Sequence, residues 1–146
     1  MSVSLSFIPK KSRKELKCFE NICDLNNKEK VSIVKHVHHT EVKLEDPNEK
    51  GAKDVMIRWL ITKKDGAENF AMRLFEIKPN GYTTLHQHDW EHEVFILEGN
   101  GVTKDKTKET PFEQGDVLFV PPMEWHQFVN TGKDTLKFIC VIPYKE

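Results

Sequence analysis

A chain of 146 residues holds one domain with a real core and is too short for two ordinary ones. Hydrophobic residues make up 38% and charged residues 31%, a balance that suits a soluble globular protein. With 22 basic against 23 acidic residues and a formal net charge of -1, nothing favours nucleic acid or an anionic membrane as partner.

In chain order, the N-terminus "MSVSLSFIPKK" lacks the charged start and long apolar run of a signal peptide. "SVSLSF" alternates serine with Val3, Leu5 and Phe7, the period of a half-buried strand, and Pro9 closes it. "SRKE" at 12–15 has the spacing of a helix capping box with Ser12 as cap. Leu16, Phe19, Ile22 and Cys23 then recur at helical spacing. Residues 1–30 are therefore expected to form a short strand and helix outside a main domain of residues 31–146. Cys18 and Cys23 stand four residues apart, a poor zinc spacing with no second pair, and read as packing residues. Three cysteines make no disulfide framework, which points to a reducing, cytoplasmic setting.

"HVHH" at 36–39 puts His36 and His38 on one face if the segment is a strand. No partner spacing supports a metal site there, and a solvent-facing or dimer-edge role is expected. Further on, turn candidates recur: "DPNEKG" (46–51), "DG" (65–66), "KPNG" (78–81), "EGNG" (98–101), "EQGD" (113–116), "VPP" (120–122) and "NTGKD" (130–134). Between them lie strand-length runs rich in β-branched and aromatic residues: "DVMIRWLI", "FAMRLFEI", "EVFIL", "DVLFV", "HQFV" and "LKFICVI". Short strands at such spacing predict an all-β sandwich or barrel.

"HQHDWEHE" at 86–93 packs three histidines and two glutamates into eight positions. In extended chain His86 and His88 share a face, half of a metal site. His126 follows "VPPMEW", a turn that can fold its strand back beside the first.

These spacings resemble the cupins, small jelly-roll β-barrels (double-stranded β-helices). Their first motif, G-x5-H-x-H-x3/4-E-x6-G, is matched in every gap by Asn80, His86, His88, His92 and Gly99. Asn80 replaces the first glycine and His92 the glutamate. The second, G-x5-P-x-G-x2-H-x3-N, is matched by Gly115, Pro121, Met123, His126 and Asn130, with Met123 in place of glycine. Fifteen residues separate the two, and the resemblance covers roughly residues 55–142. Glu93 fits the looser first-motif gap but leaves only five residues before Gly99, whereas His92 satisfies both gaps. The resemblance thus implies four ligands, His86, His88, His92 and His126, with Glu93 as a neighbour. It also looks like the small four-histidine cupins for which manganese is implied. One divalent transition metal per chain is expected, manganese favoured, with iron, copper, nickel or zinc as alternatives.

Neutral imidazoles leave the metal its full double charge, a stronger Lewis acid than one bearing the usual glutamate. Four protein ligands on an octahedral ion leave two places for a bidentate substrate, water or an oxidant. Around it, Phe128 shares a face with His126, and the resemblance turns Phe138 and Cys140 inward. With Val94 and Ile96 they imply a pocket for a small, partly apolar substrate. Cys140 is either open to oxidation or a small buried packing residue. Arg73 either anchors a carboxylate or sits exposed or at an interface. Trp90 covers the metal or packs between subunits.

The reading is a metal-dependent oxidoreductase of dioxygenase or peroxide-using type. An isomerase or lyase is the first alternative and needs a base, for which Glu91, Glu93 and Tyr82 are candidates. A non-enzymatic module that binds a small ligand or metal is the second. A homodimer is expected, with the Val3, Leu5, Phe7 strand covering a sheet edge on its own barrel or a partner's.

Overall fold

The computed structural model describes residues 34–144. The expected N-terminal strand and helix, with Cys18 and Cys23, lie outside the described residues. Among the described residues the chain forms eight strands: β1 (Lys53–Ile61), β2 (Phe70–Tyr82), β3 (His92–Glu98), β4 (Asn100–Lys104), β5 (Glu109–Glu113), β6 (Val117–Val120), β7 (Gln127–Asn130) and β8 (Leu136–Pro143). Short 3-10 turns, His39–Glu41 and Lys63–Asp65, accompany them. No helix among these residues is long and apolar enough to cross a membrane.

Every strand pairing is antiparallel, in the order β5-β4-β7-β2-β8-β3-β6, with β1 also on β2. The long β2 is the seam. Phe70–Ile77 pairs with β8, whereas Tyr82 pairs with Val129 of β7. One strand thus serves both halves of a curled sheet, which closes as the expected jelly-roll barrel.

The change of partner falls at "KPNG". The sequence predicts a turn there, but the segment is a bulge inside β2. Asn80 takes a left-handed φ of 62°, and the register with β1 slips between Lys53 and Val55. Gly81 supplies the room, since a Cβ there would stand 2.8 Å from the Lys53 carbonyl oxygen. β4 and β5 are also absent from the sequence reading. Their residues, "NGVTK" and "ETPFE", are mostly polar, and Pro111 argues against a strand. β5 lies at the end of the sheet order, where a proline is tolerated.

Strand alternation sorts the interior. Phe75 and Ile77 of β2, Val94 and Ile96 of β3, Phe128 of β7, and Leu136, Phe138 and Cys140 of β8 all turn inward into one core. Phe138 stacks on Phe75 at 5.0 Å between ring centroids and meets Phe128 at 4.8 Å. These rings close the middle of the barrel and floor the space beside the histidines. Asn130, the last residue of the second motif, is buried and fully engaged. Its Nδ2 donates to the Ile77 and Asp134 carbonyls and its Oδ1 accepts from Gly132 N–H, tying the "NTGKD" turn to β2.

Candidate metal centre

His86 and His88 follow β2 in irregular extended chain, so strand alternation does not govern them. His86 is placed by pairing instead. Its N–H donates to the His126 carbonyl at 3.2 Å, and the His126 N–H donates back at 2.9 Å. The Met123 N–H then donates to the His88 carbonyl at 2.6 Å, so the second motif's turn grips the first motif. The chain bends at Asp89–Trp90 and enters β3 at His92. From there alternation resumes: His92, Val94 and Ile96 are buried, while Glu93 and Phe95 are exposed on the opposite face. His92 therefore faces the other histidines and Glu93 faces away.

The donor nitrogens of His86, His88 and His126 lie within 4.8 Å of one another and could hold a metal ion. Two nitrogens bound about 2.1 Å from one ion stand at most about 4.2 Å apart, so little contraction is needed. His92 stands outside that group of three but reaches it through His88, the two Nε2 atoms being 2.6 Å apart. Ring orientations also fit a metal. The Nδ1 of His88 faces the Trp90 carbonyl at 2.8 Å, and that of His126 faces the Glu124 carbonyl at 2.9 Å. A carbonyl only accepts, so both Nδ1 atoms carry the proton and both Nε2 atoms present a lone pair. The Nε2 of His126 is buried with no hydrogen-bond partner among the described residues, as a metal ligand would be. The Nδ1 of His92 lies 3.1 Å from Cys140 Sγ.

The surroundings keep the imidazoles neutral. Burial pulls His92 from 6.5 to about 2, with the Arg73 charge adding to it, and His88 to about 4. Burial lowers His86 and His126 as well. Neutral rings are the form that coordinates. Burial pushes the Cys140 thiol up, which favours the inert packing role over a reactive thiolate.

A cavity of about 270 Å³ opens beside the histidines. All four line it, as do Phe128, Phe138, Cys140 and Arg73. Val94 and Ile96 do not. They sit in the packed core, further along the inward face of β3, and are corrected from pocket to core residues. Phe75, Thr83, Gln87 and Glu49 line the cavity without having been singled out from sequence. Phe75 was legible, because it shares the inward face of β2 with Arg73. Glu49 lies on the "DPNEKG" turn, whose position over the cavity no local pattern encodes. Trp90 lines the cavity and stacks flat on the His88 ring at 3.8 Å. Of the candidate bases, Glu91, Glu93 and Tyr82 are not among the lining residues.

A jelly-roll barrel with clustered histidines at its open cavity defines a small-molecule site of the cupin type. Residues 73–142 match the family described as cupin domain. The chain is 36% identical over 99 residues, 65% of its length, to the oxalate-binding protein of Thermotoga maritima, covering 81% of that protein. The polyketide cyclase RemF of Streptomyces resistomycificus superposes with a TM-score of 0.74 at 38% identity, over 77% of this chain and 81% of that one. A 1-methylthio-D-xylulose 5-phosphate methylsulfurylase of Rhodospirillum rubrum is 32% identical over 71 residues. That match spans 49% of this chain and 46% of the other protein, about half its length. The chain belongs to the cupin family, whose members include enzymes acting on small molecules.

Proposed function

We propose that the protein is a metal-dependent oxidoreductase of dioxygenase or peroxide-using type, acting on a small, partly apolar molecule. The observation that carries this is the donor set: four histidine rings line one cavity, and the Nδ1 contacts of His88 and His126 leave lone pairs on their Nε2 atoms for an ion. His86, His88, His92 and His126 would hold one divalent metal, with manganese favoured and iron, copper, nickel or zinc as the other candidates. A bound ion would supply a Lewis acid and, for manganese, iron or copper, an electron relay. Phe75, Phe128 and Phe138 would seat the apolar part of the substrate and exclude water, with Trp90 bracing the His88 ring.

A second reading is metal-assisted chemistry without electron transfer, as in an isomerase, lyase or cyclase. Its support is the likeness to RemF, which is named a polyketide cyclase. It calls for a base beside the substrate, and among the described lining residues the only carboxylate is the exposed Glu49. The non-enzymatic binding module has support in the name of the Thermotoga maritima relative. Elemental analysis of protein purified without a histidine tag, followed by oxygen uptake with small aromatic and keto compounds, separates the three. Manganese, iron or copper with uptake supports the oxidoreductase. Zinc with no uptake but turnover favours the second reading, and binding without turnover the third.

We also propose a homodimer in a reducing, cytoplasmic setting. An exposed apolar stripe of Phe95, Val117 and Phe119 on paired strands β3 and β6 supports the first. The free thiol of Cys140 supports the second. Phe119→Asp should lower the dimer fraction in sedimentation, and an unchanged profile would count against that stripe.

A further inference from the structure

Arg73 is a charge in this cavity that no carboxylate among the described residues answers. It stands on the inward face of β2 and is 8% exposed. Its Nη2 donates to Cys140 Sγ at 2.9 Å, a weak acceptor, and its Nε is buried without a partner among the described residues. Among the described residues no carboxylate pairs with it. Glu49, at the cavity rim, is exposed and makes no ion pair with it. The guanidinium is held in place by aromatic faces instead, 5.7 Å from the Trp59 centroid and 5.1 Å from that of Phe75. The other partly buried arginine, Arg58, behaves differently and pairs with Glu76 at 2.9 Å.

A buried cation without an anion is costly, and a protein tolerates it where a ligand completes the pair. The charge is close to the metal centre. From His92 Nδ1 to Cys140 Sγ is 3.1 Å, and from there to Arg73 Nη2 is 2.9 Å. With a divalent ion on neutral histidines, two cationic groups would face one small cavity floored by three phenylalanine rings.

Resting on the metal-enzyme reading above, we propose that the substrate is a carboxylate and that Arg73 is its specificity-determining anchor. The planar fork of the guanidinium, held near the Trp59 and Phe75 rings, matches a carboxylate in two parallel hydrogen bonds. The remainder of the molecule then lies over Phe75, Phe128 and Phe138, with its reacting end toward the histidines.

Calorimetric titration of the metal-loaded protein with benzoate and with its neutral isostere benzamide tests this. Benzoate should bind at least about tenfold more tightly, and Arg73→Gln should erase that preference while Arg73→Lys keeps part of it. The same pair is run on chelator-stripped protein, where no metal can attract the carboxylate. Persistence of the preference there, and its loss in Arg73→Gln, supports the anchor. Equal binding of the two probes, no binding of benzoate, or a preference that survives Arg73→Gln would overturn it. A preference that vanishes on stripping assigns the carboxylate to the metal alone and also overturns it. Should Arg73→Gln fail to fold, the stripped and loaded wild-type comparison still decides. An Arg73-dependent preference in protein that never holds metal would leave the anchor standing and sink the metal reading instead.

Discussion

Two stretches of this chain each hold three histidines and end in opposite places. "HVHH" at 36–39 becomes a surface cap. His38 precedes the 3-10 turn His39–Glu41, its Nδ1 accepting from the Thr40 N–H while Glu41 accepts from the His38 N–H. "HQHDWEH" at 86–92 becomes the wall of a cavity. Its rings converge because β3 turns His92 inward and because His126 arrives from forty residues away to pair with His86. Histidine density does not make a site; convergence of buried rings from separate segments does.

Substitutions in and beside the cavity stretch carry the largest expected effects. His92→Ala should lower metal affinity by more than about 100-fold, beyond what loss of an outer-shell group costs. Glu93→Gln should leave metal content near wild type, because that side chain is exposed on the other face of β3. His92→Glu should keep the metal, lower the charge of the site by one and weaken anion binding. Elemental analysis and competition with a chromogenic chelator read all three. Metal lost in Glu93→Gln and kept in His92→Ala would reverse the assignment.

Acid tests the cavity rings next. Unperturbed histidines would give up metal below about pH 6.5. The cavity moves that threshold down, since His88 and His92 are lowered to about 4 and about 2. Each such ring binds a proton more readily unfolded than folded. Stability of the metal-free protein should therefore fall as pH drops from 6.5 toward 4, and recover as pH rises. Metal should be retained below pH 6.5 and released nearer pH 4. Melting temperature and metal content across this range check both. Melting that is flat from pH 6.5 to 4 would show that these rings are not buried as described.

How much of this was legible depends on whether a feature is local. The strands from "DVMIRWLI" to "LKFICVI" announce themselves because one face is buried and alternation records it. The β4–β5 hairpin does not, because it buries little beyond Gly101 and Phe112. The ligand spacing was legible as a resemblance. Arg73 was legible only as one of two alternatives, a carboxylate anchor or an exposed residue, since alternation fixes its face but not whether a partner meets it there. The motif glycines explain themselves only in three dimensions. Gly99 and Gly115 have φ of 84° and 93°, and the two positions that depart from glycine, Asn80 and Met123, have 62° and 65°. All four are left-handed, the region that favours glycine. Asparagine tolerates it, whereas for methionine it costs roughly 1–2 kcal/mol. Met123→Gly should raise stability by about 1 kcal/mol at most, once the extra freedom of glycine in the unfolded chain is subtracted. Denaturant titration reads it, and a loss of stability would mean that the Met123 side chain packs against something that offsets the strain.

The smallest effect belongs to the surface stretch, and it completes the comparison. His38→Ala removes a side-chain acceptor from the Thr40 N–H at 3.4 Å and a contact with Thr40 Oγ1 at 2.7 Å. The turn it caps is three residues long and has no buried residue. Lost caps cost about 0.5–2 kcal/mol, and the long hydrogen bond and solvent exposure put this one at about 0.5 kcal/mol. Metal content should not change, because none of the cavity's lining residues belongs to this segment. His38→Asn should restore the loss, since asparagine is a better cap than histidine and no better a metal ligand here. A His38→Ala protein that loses metal would show that the two histidine stretches meet in solution, and the contrast between them would fall.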